Sequence, residues 1–152
     1  MGAAFFYHLT QSPLEVTLPM LLGKARGAGW KVVVRGVDAR RMDWLDEKLW
    51  LGDEAAFFPH GRAGGGFDAD QPVLLTTELE MPNKATCVMT VDGAPISGDE
   101  VTALERVCVI FDGNNPDALQ HARGQWKMLS DAECSLQYWA QDGGRWVKKA
   151  EK

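Results

Sequence analysis

Trp30-Lys31-Val32-Val33-Val34, followed by Gly36-Val37-Asp38, decides the fold of this chain. A continuous apolar run with a single lysine suits a strand buried on both faces, and such strands belong to parallel sheets. Asp38 is placed to cap a helix through Trp50. Upstream, Ala3 to Leu9 reads as a short apolar strand, and Thr10-Gln11-Ser12-Pro13 turns the chain. Ser12 is the expected N-cap of a first helix, with Pro13 at its first position and Glu15 where a capping box needs a carboxylate. That helix carries Leu14, Leu18, Leu21, Leu22 and Ala25, and Gly27-Ala28-Gly29 stops it. Pro19 inside it calls for a kink or a later start. A β-α-β-α opening implies parallel strands joined by right-handed crossovers.

Downstream, His60 to Gln71 reads as a loop, with His60 a loop or surface imidazole. Pro72 to Thr77 and Ala85 to Val91 are short apolar strands, and Asp92-Gly93 ends the second. Pro95 to Glu100 reads as a turn, and Glu105 to Phe111 as another buried strand. Asn115 caps a further helix with Pro116 at its first position, and Leu119, Ala122, Trp126 and Leu129 recur at helical spacing. Cys134 to Trp139 and Arg145 to Val147, joined through Asp142-Gly143-Gly144, form a β-hairpin. The expected architecture is α/β: a Rossmann-like, mostly parallel central sheet flanked by helices, with a C-terminal β-hairpin. Its 152 residues suit one domain spanning 1–152.

A net charge of −5 argues against general nucleic-acid affinity. Cys87, Cys108 and Cys134 are odd in number, widely spaced and free of any Cys-x-x-Cys pair, so they read as reduced structural thiols. No apolar segment reaches membrane-spanning length, and the N-terminus lacks the pattern of a secretion signal. A soluble, cytoplasmic protein is expected.

Motifs for catalysis are missing. The turn after the first strand has no glycine fingerprint, the phosphate-loop pattern is absent, and Gly64-Gly65-Gly66 is not followed by a helix pattern. His8, His60 and His121 show no metal-ligand spacing. Neither a metal nor a cofactor is expected. The stretch from Ala118 to Ser130 differs from its surroundings, because it contains no acidic residue in an acidic chain. Arg123 and Lys127 are four apart and share a helix face, with Trp126 beside both and Gln120 and His121 as further donors. An indole next to a guanidinium and an ammonium is a receptor for a peptide ending in an aromatic residue and a carboxylate. The same pattern also fits a solvated face with Trp126 in the core. Further back, Trp44, Leu45, Leu49 and Trp50 are more large apolar residues than one inward stripe of a short helix needs, and adjacent Phe57 and Phe58 point to opposite sides of an extended segment, so that one of them falls outside the core, which points to contact with another protein.

Several of these residues occur together in a known family. Phe6, Tyr7 and Leu9, the run Leu45 to Trp50, Phe57 to His60, Pro72-Val73 and Ala122 to Lys127 follow one another in an order and spacing that resembles the chi subunit of bacterial DNA polymerase III. The resemblance covers nearly the whole chain and is weakest in the tail. It implies a non-catalytic Rossmann-like adaptor of the clamp-loader assembly. Such an adaptor binds the acidic C-terminal tail of single-stranded-DNA-binding protein, which ends in a Pro-Phe carboxylate. Arg123, Trp126 and Lys127 fall on the tail-binding motif, with Trp126 where tyrosine is common. Leu119 and Ser130 stand where the family carries basic residues, which leaves fewer charges for the tail. Trp50 and Phe57 fall on the surface that holds the psi subunit or, in competition, an iron–sulfur helicase. Other clamp-loader subunits are reached indirectly, and neither direct nucleic-acid binding nor a membrane is implied. The alternative is a small-molecule or nucleotide-binding enzyme that uses the crevice at the carboxyl ends of the strands.

Overall fold

The computed structural model describes residues 2–50, 60–64 and 66–152, with Trp50 described as backbone alone. The elements run in the order β1 (Ala3–Leu9), α1 (Leu14–Gly27), β2 (Val32–Arg35), α2 (Ala39–Trp50), β3 (His60–Arg62), β4 (Val73–Thr76), β5 (Cys87–Thr90), α3 (Gly98–Ala103), β6 (Arg106–Asp112), α4 (Pro116–Asp131), β7 (Ser135–Asp142) and β8 (Arg145–Glu151). Among the described residues, eight strands form one sheet in the order β3-β4-β2-β5-β6-β1-β7-β8. All neighbours are parallel except β7 and β8, which pair antiparallel as the C-terminal hairpin. The α/β class, the mostly parallel sheet and the hairpin are therefore as the sequence implied.

Alternation along the strands divides the core into two layers. Val32 and Val34 of β2 join Leu18, Leu22, Met42 and Leu45 beneath α1 and α2. Val33 points the other way and joins Phe6, Val88, Val107 and Leu129 beneath α3 and α4. The assignment of helices to faces follows from handedness. The β1-α1-β2 crossover runs toward one edge of the sheet, and β6-α4-β7 runs toward the other. Right-handed connections in opposite directions must lie on opposite faces. The chain thus leaves a crevice where α1 and α4 diverge, outside the carboxyl ends of β1 and β6.

Local signals explain the helix ends. The Asn115 side chain accepts hydrogen bonds from the amides of Asp117 (2.9 Å) and Ala118 (3.1 Å), with Pro116 opening α4. Asp38 Oδ1 accepts from the Arg40 amide at 3.0 Å at the start of α2. Three expectations need correction. The first helix begins at Leu14 with Pro13 at the cap, and Ser12 supplies no capping bond. The turn before it is held from β7 instead: Gln141 Oε1 takes the amides of Thr10, Gln11 and Ser12 at 3.0, 2.9 and 3.1 Å. Pro95 to Glu100 is not simply a turn, because Ser97 and Glu100 close a reciprocal capping box at the start of α3. The segment from His60 to Gln71 contains β3, an edge strand parallel to β4, and His60 is buried with Nε2 3.2 Å from Asp46 Oδ1.

Met42, Leu45 and Leu49 form the inward stripe of α2. Trp44 lies at its border, half-buried, with the Arg41 guanidinium 4.3 Å above its ring. Phe57, Phe58 and the Trp50 side chain lie outside the described residues. Among the described residues no helix is long and apolar enough to cross a membrane.

Candidate functional site

Among the described residues, two places have the geometry of a site. The first is the crevice at the switch point, with a volume of about 920 Å³. Its walls include Glu15, Asp92, Asp112 and Asp117, against Arg41 and His121. Arg41 is tied to Asp92 by an Nε–Oδ2 contact of 3.0 Å. A phosphate would need free amides at the helix starts. Those of Asp117 and Ala118 at the start of α4 are bonded to Asn115, and the amides of Thr10, Gln11 and Ser12, in the turn before α1, are bonded to Gln141. With carboxylates around it and these amides engaged, the crevice is poorly suited to a nucleotide. Among the described residues no three His, Cys, Asp or Glu side chains gather to hold a metal.

The second place is the opposite flank of α4, facing β1 and β7. Ala122, Gln125 and Leu129 are the buried positions of this helix. Trp126 is half-buried at the edge of that stripe. Its ring meets Phe6 edge-on, with centroids 5.2 Å apart and planes at 72°, and meets Tyr138 at 5.8 Å and 75°. Phe6 and Tyr138, which are register partners on β1 and β7, stack at 6.4 Å. Below them His8 Nδ1 and the Tyr138 hydroxyl hydrogen-bond at 2.7 Å, and Phe111 packs 5.3 Å from the imidazole. Edge-to-face arrangements of this kind hold each ring in one orientation. The indole is therefore fixed from beneath while part of it stays open.

Arg123 and Lys127 flank this aromatic stack and are both exposed. Neither makes a hydrogen bond or ion pair among the described residues. The Arg123 charge is nonetheless felt beneath it. Burial raises the pKa of Tyr138 and the Arg123 charge works against that rise, while burial and then the Arg123 charge lower that of His8. Asp112 acts in the opposite direction on His8. Leu119, one turn before Arg123, is half-buried against the same cluster, and Ser130, one turn after Trp126, is also half-buried. Gln120 lies on the Arg123–Lys127 face, three and seven positions away along the helix. His121 does not join them. It lines the crevice instead, where a Cβ on Gly93 would come within 3.3 Å of its ring.

The structure thus brings Arg123, Trp126 and Lys127 onto one surface. Sequence reasoning missed His8 and Tyr138, which sit 130 residues apart and meet only through the β1–β7 pairing. The one available signal was alternation, which puts His8 on the same face of β1 as Phe6.

Comparison with known proteins gives the same lineage. A probable DNA polymerase III subunit chi from Rickettsia prowazekii (strain Madrid E) is 24% identical over 111 residues, covering 70% of this chain and 67% of its own length. The family model described as DNA polymerase III chi subunit, HolC, matches residues 1–137, a span that includes α4 and stops one residue before Tyr138. On that match the chain belongs to the chi subunit family of DNA polymerase III.

Proposed function

We propose that this accessory subunit is a non-catalytic cytoplasmic adaptor that couples the replicase to single-stranded-DNA-binding protein by gripping its acidic C-terminal tail. The observation that carries the reading is the α4 flank. Two exposed cations, with no ion pair among the described residues, share a helix face beside a half-buried indole held by Phe6 and Tyr138. Arg123 takes the terminal carboxylate in a bidentate contact, Trp126 packs the terminal phenylalanine ring, and Lys127 meets the acidic residues before it. A second contact, through Trp50 and Phe57 to a psi subunit or a helicase, ties the complex to the clamp loader. Two moderate contacts on one small body raise local concentration without either being tight.

The test is calorimetric titration with a short acidic peptide ending in Pro-Phe. Micromolar binding that weakens with salt is expected, because the peptide is anionic. Arg123→Ala removes one charge-assisted contact and costs about 1.5–3 kcal/mol of binding. The same change leaves folding stability within about 0.5 kcal/mol, because the side chain is exposed and has no hydrogen bond or ion pair among the described residues. Amidation of the peptide C-terminus has the same effect as Arg123→Ala. Equal affinity for the free and amidated peptides would rule out carboxylate recognition. A nucleotide that raises the melting temperature where the peptide does not would favour the crevice instead.

A further inference from the structure

His8 is half-buried, with a polar partner and two charges acting on its ring. Tyr138 of β7 hydrogen-bonds its Nδ1 at 2.7 Å. Asp112, at the end of β6, and Arg123 of α4 act on it electrostatically with opposite signs. Phe111 covers one side of the ring. The turn after β6 runs against one edge of the half-buried ring, where a Cβ on Gly113 would clash with Cδ2 and Nε2 of His8. These contacts hold the imidazole beside Tyr138.

That constraint links the protonation of His8 to the Tyr138 hydroxyl. A neutral imidazole with its proton on Nε2 accepts at Nδ1, so the hydroxyl must point its hydrogen inward. An imidazolium carries hydrogen on both nitrogens, so Nδ1 becomes the donor and the Tyr138 oxygen the acceptor. The hydroxyl hydrogen is then released toward the neighbouring Trp126 and Arg123 surface. One proton is taken from solvent, and Tyr138 keeps its own, merely turned. An anion on that surface gains a fixed positive charge beneath it and one more hydrogen-bond donor.

We propose that His8, Tyr138 and Arg123 form a proton-coupled anion site, in which a peptide carboxylate bound beside Arg123 is accompanied by uptake of one proton on His8. This rests on the reading of the α4 flank as a carboxylate receptor and adds a residue and a pH response to it. In the free protein the Arg123 charge opposes an imidazolium, and a bound carboxylate cancels that opposition. By linkage, whatever favours the proton when peptide is bound must favour peptide when the proton is bound. Affinity therefore rises as pH falls from about 8 to about 6, by at most about tenfold per pH unit for one proton. It falls again near the carboxylate range, about pH 4, where the peptide loses its charge.

The experiment uses the full chain and a short acidic peptide ending in Pro-Phe with a free carboxylate. Calorimetry near pH 6.5 in two buffers of different ionisation heat counts the protons taken up. Proton NMR of the His8 Cε1–H follows its titration with and without saturating peptide. Net proton uptake and a His8 midpoint that moves upward on binding support the proposal. His8→Gln, which keeps a hydrogen-bonding partner for Tyr138 but does not titrate, should flatten the pH dependence between about 8 and 6. Tyr138→Phe, which keeps the ring stack and removes the hydroxyl, should reduce that dependence without abolishing it. Peptide binding with no proton uptake, and a pH profile equal to that of His8→Gln, would overturn the proton coupling while leaving the adaptor reading intact. No peptide binding at either pH would overturn both.

Discussion

Arg35, at the end of β2, is fully buried beneath the Glu100 carboxylate of α3, with Nη1 3.2 Å from Oε1 and Nη2 2.8 Å from Oε2. The same guanidinium donates to the carbonyls of Pro95 and Leu79 at 3.0 and 3.3 Å. It thereby fastens two connecting segments over the sheet. Glu100 also closes the α3 capping box, so one carboxylate serves both jobs. Removing it strands a buried cation, and breaking such pairs typically costs about 3–5 kcal/mol. Glu100→Ala should therefore lower unfolding free energy by about 3 kcal/mol or more in urea titrations. Arg35→Met combined with Glu100→Gln should lose much less, because no charge is left behind. A cost below about 1 kcal/mol for Glu100→Ala would mean that water reaches Arg35.

The start of α1 separates a local reading from a tertiary one. Ser12 has the sequence position of a cap, yet the acceptor used by the Thr10, Gln11 and Ser12 amides is Gln141 Oε1. Ser12→Ala should change stability by no more than about 0.5 kcal/mol, as at an ordinary surface site. Gln141→Leu should cost about 1–2 kcal/mol, because three turn amides lose their shared acceptor. Chemical denaturation of the two variants side by side checks this, and the reverse order of costs would show that the Ser12 side chain, not Gln141, holds the turn. Since Gln141 lies on β7, the hairpin is thereby tied to the first turn of the chain.

Local signals made most of the layered fold legible. Val32 to Val34 and Val107 to Phe111 are apolar in ways only a buried strand explains, and Asn115-Pro116 marks the start of α4. Residues that become structured only through a partner were not legible. His60-Gly61-Arg62 is a strand because β4 lies beside it, and nothing in three mostly polar residues says so. Around α3 the signal was present, as Ser97-x-x-Glu100, but it stood next to Pro95 and Gly98, which read as a turn. The grouping of Arg123, Trp126 and Lys127 follows from helical spacing alone. His8 and Tyr138 could join that picture only once β1 and β7 were known to be neighbours.

The three cysteines are free, and their environments rank their reactivity. Cys87 and Cys108 are buried on adjacent strands. A hydrogen bond to Cys108, followed by burial, pushes the Cys87 thiol well above the ordinary range. Cys134 is only half-buried, with burial and then Asp99 raising its pKa. The thiolate is the reactive form, so raised values mean slow chemistry. Ellman titration of the native protein near pH 8 should show Cys134 reacting first and slowly, with Cys87 and Cys108 silent until denaturant is added. Rapid labelling of two thiols in the native state would contradict this packing.

Acid sensitivity of the fold itself gives a further expectation from His8. Burial, then the Arg123 charge, hold its pKa below the usual histidine value, with Asp112 opposing. The unfolded chain titrates near 6.5 and so takes up its proton first as pH falls. Between that value and the lower native one, the unfolded state binds more protons, and stability declines with acidification. The contribution is fully present above about pH 7.5 and erodes below about 6.5. His8→Gln removes this component, so its stability should change less than that of the parent between about pH 7.5 and 5.5. Parallel urea titrations across that range test the sign. A parent protein that gains stability relative to His8→Gln on acidification would show that Asp112, rather than burial and Arg123, governs the imidazole.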